Sequence, residues 1–393
     1  MKHILIISNL FPPAVIGGAE KIAAQLALLL KSRYKVTVLT LSGNGQDVVD
    51  NWNGIKVYRL AIRNSYYPFA EASPSAMRKL LWHRKDAWNQ DMREVLRPIL
   101  ASEKPDIVNT HNLAGFSVSA WAAADEVGVP VVHTMHDYYL LCPKSTMFCK
   151  ERNCQSQCWG CRLLSDKKIS ASQRVKHVVS VSNFVLQRHL SNGYFKNAAR
   201  SVIANARDFH RKPPGPAVPA GDLKFGYIGR ISENKGVEKL LQVFRKCFSH
   251  HKLFIAGAGE PSYVEMLQKK YGSSNIVFMG YVDANTFFVS IDINIVPSRW
   301  NDPFPTVVFE SFYHSVPVIG SRRGGIPEMV VDGVNGFLYE PDEDGALERV
   351  LAKAVSDSQS YQRLSAGAYE SGAYYRTDRF FAQYAEVFES LAC

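Results

Sequence analysis

The chain has 393 residues, of which 46% are hydrophobic, and its formal net charge is +10. This length predicts two domains of ordinary size, and no apolar run approaches the roughly 18 residues that a membrane span needs. The first residues do not resemble a signal peptide, because their short apolar run continues into a glycine-rich turn. We therefore expect a cytoplasmic protein, with any membrane contact restricted to peripheral association with the inner face.

The positive charge is concentrated in the first half of the chain. Residues 1–205 hold 26 Lys and Arg against 14 Asp and Glu, whereas the remainder hold 20 against 22. This asymmetry fits either an ordinary solvated surface or attraction to an anionic membrane or a phosphorylated acceptor. The stretch 77–88 mixes aromatic with cationic residues, which fits a membrane-surface helix or core packing. The sequence contains no recognised nucleic-acid-binding motif, so nucleic acid is not an expected partner.

The first half reads as strands that alternate with helices. A helix over residues 19–32 follows the first strand and a glycine turn, which makes a βαβ unit. Apolar strands separated by amphipathic helices predict a mostly parallel sheet covered on both faces. The predicted strands are 4–7, 35–40, 55–60, 107–110, 131–135 and 177–180.

The alternation stops at a Pro/Gly-rich stretch and then restarts. We assign 1–206 to a first domain, 207–222 to a linker and 223–376 to a second domain. The tail 377–393 is apolar at helical spacing; we expect it to brace the two domains and group it with the first. The predicted elements of the second domain are strands 224–228, 252–256, 276–279, 293–296 and 316–320, and a helix over 236–247.

Residues 301–310 are the most informative stretch. A turn that carries Asp302 runs into an apolar helical segment, and Glu310 follows eight positions later. Pro305 suits a first helical turn, where its missing N–H costs nothing. The free N–H groups of that turn would face an anion. Two carboxylates beside an anion-binding helix start indicate a phosphate-linked ligand with hydroxyl groups, such as a nucleotide sugar.

The order of these turns resembles glycosyltransferase family 4, and the resemblance covers nearly the whole chain. The matching motifs are FPP with GGAE at 11–20, HTMHD at 133–137, IANA at 203–206, GRI with KG at 229–236, GAG at 257–259 and the Asp302–Glu310 spacing. The family implies an α/β fold of GT-B type, with two doubly wound Rossmann-like domains facing a central cleft. It also implies a retaining, hexosyltransferase-type enzyme that uses a nucleotide-diphosphate sugar. The resemblance makes 1–206 the acceptor-binding domain and 223–376 the nucleotide-sugar-binding domain.

The resemblance assigns the donor site residue by residue. Arg230 and Lys235 would hold the diphosphate, a role that their charge and their place between a strand and a helix also suit. Glu310 would bind the ribose hydroxyls, and Asp302 stands where the family has Glu near the donor sugar. The remaining donor-binding candidates are Gly17, Gly18, Gly257 and the main-chain N–H groups of Phe304, Thr306 and Val307.

The catalytic candidates are His136, Asp302, Arg230 and Lys235. His136 follows a strand, at the sheet edge where open parallel sheets place ligands, and the resemblance implies a contact to the donor sugar near the reacting carbon. His111 and Asn112 follow the neighbouring strand and are candidates for the acceptor side.

Five cysteines fall within residues 142–161. Cys142, Cys154, Cys158 and Cys161 fit a structural zinc site, unligated thiols or disulfides, and the sequence leaves all three open. The Asp342–Asp344 triplet resembles the metal motif of other glycosyltransferases, but it precedes a helix, where acids favour the N-terminus. We therefore expect no catalytic metal and no cofactor for catalysis.

These observations predict a retaining glycosyltransferase in surface polysaccharide biosynthesis, of O-antigen, capsule or exopolysaccharide. The acceptor would be a glycan, most simply a lipid-linked one, with a contact to anionic membrane. The alternatives are a GT-B nucleotide-sugar epimerase, a phosphorylase, or a nucleotide-sugar-binding module without catalysis. The phosphorylase would need a pyridoxal-phosphate lysine, for which the sequence offers no convincing site.

Overall fold

The computed structural model describes residues 1–15, 17–69, 74–208, 212–215, 223–356 and 358–391. The chain forms two compact units. The first consists of Met1–Met147, Gln155–Ala206 and Thr377–Cys393, and the second of Phe148–Cys154 and Arg207–Arg376. Most of the predicted linker, residues 209–211 and 216–222, lies outside the described residues, as does Ile16 of the glycine turn.

The first unit is built on an eight-stranded sheet, in the order β10-β9-β6-β5-β1-β2-β4-β3. Its strands are β1 His3–Ile7, β2 Lys35–Ser42, β3 Val48–Trp52, β4 Ile55–Ala61, β5 Ile107–Thr110, β6 Val131–Met135, β9 His177–Ser180 and β10 Ala199–Val202. Its helices are α1 Gly18–Leu30, α2 Ala76–Ala87, α3 Gln90–Glu103, α4 Ser119–Glu126, α5 Trp159–Leu163, α6 Asp166–Ser172, α7 Asn183–Leu190 and α15 Thr377–Ser390.

The central strands of this sheet are parallel and buried on both faces. All five residues of β1 are buried, as expected for a strand between two layers of helices. β1 pairs with β5, and β5 pairs with β6. The carboxyl ends of these three strands therefore lie side by side, and the chain beyond them carries the glycine turn, His111 and His136.

The C-terminal helix α15 belongs to the first unit. Its side chains Phe380, Tyr384, Val387 and Phe388 are buried in the same apolar cluster as strand β1 and helix α1. The Tyr384 hydroxyl also lies 3.2 Å from the Thr134 hydroxyl of β6. This helix thus packs against the strand that leads to His136.

The second unit contains a six-stranded parallel sheet, in the order β13-β12-β11-β14-β15-β16. Its strands are β11 Lys224–Ile228, β12 Lys252–Ala256, β13 Ile276–Gly280, β14 Ile293–Val296, β15 Val318–Ser321 and β16 Gly336–Tyr339, with the hairpin β7 Phe148–Cys149 and β8 Arg152–Asn153. Its helices are α8 Val237–Cys247, α9 Pro261–Tyr271, α10 Ala284–Val289, α11 Thr306–Tyr313, α12 Ile326–Met329, α13 Ala346–Val355 and α14 Ser358–Gly372.

The predicted fold class is confirmed, since each unit is a doubly wound α/β domain. The strand predicted at 316–320 begins at Val318 because Ser315 has a φ of 59° and Pro317 offers no N–H, which keep the chain in a turn. The edge strands β3 and β10 escaped prediction because their residues are largely exposed. Among the described residues, no helix is long and apolar enough to cross a membrane.

Residues 148–154 were assigned to the first domain from sequence, whereas the structure places them in the second unit. The reason is local. The side chains of Glu151 and Asn153 bond to the segment 299–301, which follows β14. The first domain is therefore interrupted by a hairpin that packs elsewhere.

Candidate active site

Two histidines meet at the carboxyl edge of the first sheet. His111 follows β5 and His136 follows β6, and His111 Nδ1 lies 2.8 Å from His136 Nε2. The rings are stacked, with centroids 5.1 Å apart. His111 is only 1% exposed, whereas His136 is half-buried. His111 therefore lies deeper in the first unit than His136.

The hydrogen bonds around this pair fix which nitrogen of each ring carries a proton. Asn109 Nδ2 donates to the Val132 carbonyl oxygen, 3.3 Å away, so Asn109 Oδ1 must be the acceptor that faces His111 Nε2 at 2.8 Å. His111 Nδ1 is then unprotonated and accepts from His136 Nε2–H. His136 Nδ1 carries the remaining lone pair.

His136 Nδ1 is a buried acceptor with no hydrogen-bond partner among the described residues. Burial lowers the pKa of His136 to about 4 and lowers the pKa of His111 well below its ordinary value. Both rings are therefore neutral near pH 7. A buried acceptor without a partner is costly, and a ligand hydroxyl group would satisfy it.

The neighbouring Asp137 lies in the same buried environment. Burial raises the pKa of this carboxyl group to about 6, against the opposing hydrogen bond from the Tyr139 N–H and the charge of Lys168. The Glu20 carboxylate also contributes to the rise, which places the start of α1 near Asp137. Asn112 is half-buried, and its carbonyl oxygen accepts from the Asn9 N–H at 2.9 Å.

The predicted glycine loop opens α1. Gly17 and Gly18 are exposed, and the Gly17 N–H donates to Glu20 Oε2 at 2.8 Å. α1 is 13 residues long. As in every α-helix, the N–H groups of its first turn have no acceptors within the helix. The loop therefore offers main-chain donors at the same sheet edge as His136.

In the second unit, cations and carboxylates meet at the carboxyl ends of β11 and β14. Arg230 follows β11 and is exposed, and Lys235 lies in the next turn. Lys235 Nζ forms an ion pair with Asp302 Oδ2, and the Asp302 residue is only 5% exposed. The structure thus brings together three of the four predicted catalytic residues on neighbouring loops of one unit.

Glu310 lies on α11 and is also ion-paired. Its Oε1 accepts from Arg207 Nη1 at 2.9 Å, and the Glu310 residue is 4% exposed. Arg207 was not predicted from sequence, because nothing in its local pattern distinguishes it from a surface cation after the 203–206 motif. The second carboxylate oxygen of Glu310 is left for other donors.

Two glycines hold these loops close together. Gly257 has a φ of 129°, and a Cβ on it would lie 1.8 Å from the Gly229 carbonyl oxygen, next to Arg230. Gly324 has a φ of 56°, and a Cβ there would lie 2.1 Å from the Asp302 carbonyl oxygen. Only glycine suits both the backbone angle and the space at these positions. Gly257, a predicted donor contact, thus also sets the spacing of the β11 and β12 loops.

The start of α11 places the predicted main-chain contacts. Thr306 and Val307 are the first two residues of this helix, and both are half-buried. Their N–H groups belong to the first turn, which has no acceptors within the helix. Phe304 is 9% exposed and its ring packs near Phe309 and Tyr375. Its side chain therefore anchors the turn that carries Asp302.

The five cysteines of residues 142–161 are divided between the two units. Cys142, Cys158 and Cys161 lie in the first unit, whereas Cys149 and Cys154 lie on the hairpin of the second. In the described part of the chain, no group of three or more His, Cys, Asp or Glu side chains is arranged to hold a metal ion. Structural zinc stays a prediction. Asp342, the first acid of the 342–344 triplet, forms an ion pair with Arg323.

Two α/β units with mostly parallel sheets, and cations and acids at the carboxyl ends of the second sheet, fit a glycosyltransferase of GT-B fold. The Glycosyltransferase Family 4 model matches residues 16–211, and the Glycosyl transferases group 1 model matches residues 208–371. The chain belongs to glycosyltransferase family 4. The motif-based prediction of this family is confirmed.

Similar proteins share the length or the fold of this chain. An uncharacterized 42.6 kDa protein in the cps region of Klebsiella pneumoniae is 28% identical over 343 residues, which cover 87% of this chain and 91% of that protein. Sucrose-phosphate synthase from Thermosynechococcus elongatus shares the fold, with a TM-score of 0.77 and 18% identity. The match covers 100% of this chain and 99% of that protein. Anabaena Alr3699/HepE in complex with UDP-glucose has a TM-score of 0.72 and 19% identity. The match covers 99% of this chain and 100% of that protein.

Proposed function

We propose that this glycosyltransferase moves a hexosyl group, with retention of configuration, from a nucleotide-diphosphate sugar to a lipid-linked glycan during polysaccharide assembly. The observation that carries the proposal is the pairing of Lys235 with the buried Asp302, with the exposed Arg230 after the end of the neighbouring strand β11. Such an arrangement supplies positive charge for a diphosphate leaving group and a carboxylate for sugar hydroxyls.

The second unit binds the donor. Arg230 and Lys235 neutralise the diphosphate, and the first-turn N–H groups of α11 contribute further donors to its oxygens. The free oxygen of Glu310 accepts from a ribose hydroxyl, while Arg207 keeps the other oxygen in place. The complex of Alr3699/HepE with UDP-glucose supports this class of donor.

The first unit supplies the contact to the transferred sugar. His136 Nδ1 accepts a hydrogen bond from a sugar hydroxyl, since the His111 contact leaves that nitrogen unprotonated. In the reaction, the bond from the anomeric carbon to the phosphate oxygen breaks through a short-lived oxocarbenium-like ion pair. The acceptor oxygen bonds to the same face of that carbon, and its proton passes to the leaving phosphate.

The proposed acceptor is a lipid-linked glycan. The relative in the cps region supports a role in polysaccharide assembly. Helix α2 exposes the apolar side chains of Met77, Leu80 and Leu81 among several cations. An exposed basic amphipathic helix suits an anionic membrane surface, where a lipid-linked acceptor would be presented.

Thermal-shift measurements with UDP-, GDP-, ADP- and dTDP-sugars test the donor site. We expect one nucleotide class to raise the melting temperature, and Arg230→Ala to abolish that rise. Lys239→Ala, which removes an exposed cation on α8, is the matched control and should keep it. Product analysis with the donor that binds separates the alternatives, since an epimerase would release an altered nucleotide sugar without an acceptor. The absence of a shift with every donor, together with no turnover, would contradict the proposal.

A further inference from the structure

The hairpin formed by β7 and β8 lies on the donor-binding unit, although it is encoded within the first half of the chain. Its strands pair Phe148 with Asn153 and Cys149 with Arg152. The turn residues Lys150 and Glu151 have φ angles of 47° and 58°, as in a type I′ turn. Such a turn normally uses Asn or Gly, and here the second residue, Glu151, is held by a contact outside the turn, to Arg299.

The contacts of Asn153 are directed at the loop that carries Asp302. Asn153 Nδ2 donates to the Arg299 carbonyl oxygen at 2.7 Å, and Asn153 Oδ1 accepts from the Asn301 N–H at 2.8 Å. One side-chain amide thus binds the main chain on both sides of Trp300. Glu151 adds an ion pair to Arg299 at 3.0 Å.

The same loop is held from its other side by the turn that carries Lys235. The Asn234 carbonyl oxygen accepts from the Arg299 N–H at 2.9 Å and from the Trp300 N–H at 3.2 Å. The main chain of residues 299–301 is therefore bonded to the hairpin as well as to the cation turn. Asp302 is the next residue, and its carboxylate pairs with Lys235.

The hairpin also reaches the surroundings of Arg230. Phe148 lines a cavity of about 440 Å³ together with Arg230, Asn234 and Tyr263. An aromatic side chain from the hairpin and the predicted diphosphate cation therefore share one cavity wall. This second contact places the hairpin at the donor site by an observation that does not involve Asn153.

We propose that two residues of the hairpin serve the donor site: Phe148 lines its cavity, and Asn153 is a positioning residue, which sets Asp302 through the main chain of 299–301. The proposal deepens, and rests on, the proposed function. Asp is one methylene shorter than the Glu that the family carries at position 302, so its carboxylate reaches the donor sugar only if the backbone is placed accurately. Asn153 supplies that placement.

The first test compares Asn153→Ala with Arg152→Ala, an exposed neighbour on the same strand. Because two hydrogen bonds to the main chain are lost, we expect Asn153→Ala to lower kcat/KM for the donor about tenfold, whereas Arg152→Ala stays near wild type. Asn153→Asp keeps the acceptor for the Asn301 N–H but loses the donor to Arg299, so it should fall between them. Equal activities of Asn153→Ala and Arg152→Ala would overturn the proposal.

A double-mutant cycle with Asp302→Ala separates positioning from general stability. If Asn153 acts through Asp302, the double variant should be no slower than Asp302→Ala alone, whereas a merely structural role gives additive losses. Hydrogen exchange of the peptide that spans 299–302 supplies a readout without donor, and Asn153→Ala should speed its exchange. A wild-type protein that binds no nucleotide sugar would contradict the proposed function. Unchanged exchange in Asn153→Ala would instead overturn the role of Asn153.

Discussion

The candidate site residues of the first half of the chain are neutral, whereas those of the second half are charged. The first half of the chain contains most of the positive charge, yet its His111 and His136 are neutral rings joined by one hydrogen bond. The second half is close to electrical balance, yet its site consists of ion pairs between Lys235 and Asp302 and between Arg207 and Glu310. Net charge therefore says little about the electrostatics of a site, because surface residues dominate the count.

Charged groups in one unit and neutral groups in the other suit the two tasks that we propose for them, which are binding of a diphosphate and contact to a sugar hydroxyl. A diphosphate leaving group gains charge as its bond to the sugar breaks, so fixed cations stabilise the transition state more than the ground state. A sugar hydroxyl group carries no net charge, and a neutral acceptor in a buried place orients it without attracting other anions. The comparison predicts that catalysis is most sensitive to changes of charge in the second unit. In the first unit it should be sensitive to changes in hydrogen bonding.

Replacement of Lys235 should have the largest effect. Lys235→Ala removes a cation from the proposed diphosphate site and leaves the buried Asp302 without its ion-pair partner. We expect kcat/KM to fall by about 10²–10³-fold, as when one preorganised donor is removed from a charged transition state. Steady-state kinetics with the donor found by thermal shift measures this loss.

Stability separates the two consequences of losing Lys235. An unpaired buried carboxylate is destabilising, so Lys235→Ala should also lower the melting temperature. Lys235→Ala combined with Asp302→Asn removes the unpaired charge and should recover the melting temperature but not the activity. If activity recovered too, the cation would act through folding alone and the charged site would be misassigned.

A change at His111 should have a smaller effect, by a different route. His111→Ala removes the acceptor for His136 Nε2–H, so the His136 ring loses its fixed proton position. We expect kcat to fall about tenfold, in line with the loss of one orienting hydrogen bond. Nitrogen NMR shifts of the His136 ring should report a single tautomer in the wild-type protein and a mixture in the variant.

The pH profile gives a further check on the histidine pair. Because burial lowers the pKa of His136 to about 4, protonation of this ring should not affect kcat/KM above about pH 6. Folding favours the neutral rings, so their contribution to stability is complete above the ordinary pKa of about 6.5 and is lost as the pH falls towards 4. A titration of His136 near pH 7 by NMR would contradict the buried, neutral pair.

Sequence reasoning reached the strands and motifs because both are local. Residues 107–110 and 131–135 were predicted with the bounds that the structure shows, since short apolar runs between turn residues mark buried parallel strands. The histidine candidates followed from their place after those strands. The sequence did not reveal that His111 lies behind His136, because ring packing depends on the register between β5 and β6.

The missed residues depend on contacts between distant parts of the chain. Asn153 bonds to Asn301 across 148 positions, and it lies in a strand of two residues that has no periodicity to detect. Arg207 pairs with Glu310 across 103 positions. The cysteine-rich segment suggested a zinc site, unligated thiols or disulfides, and its spacing gave no sign that its central hairpin packs on the second unit.

The surface charge of the first unit gives the smallest expected effect. Lys79 is exposed on α2 beside Met77 and Leu80, so Lys79→Gln should weaken binding to vesicles containing anionic lipid about fivefold, or about 1 kcal/mol. Lys196→Gln removes an exposed charge before β10 and is the matched control. Vesicle sedimentation at two salt concentrations measures both, and added salt should weaken wild-type binding because a Debye length is about 8 Å at physiological ionic strength. Equal losses in both variants would mean that the net charge, and not α2, attracts the membrane.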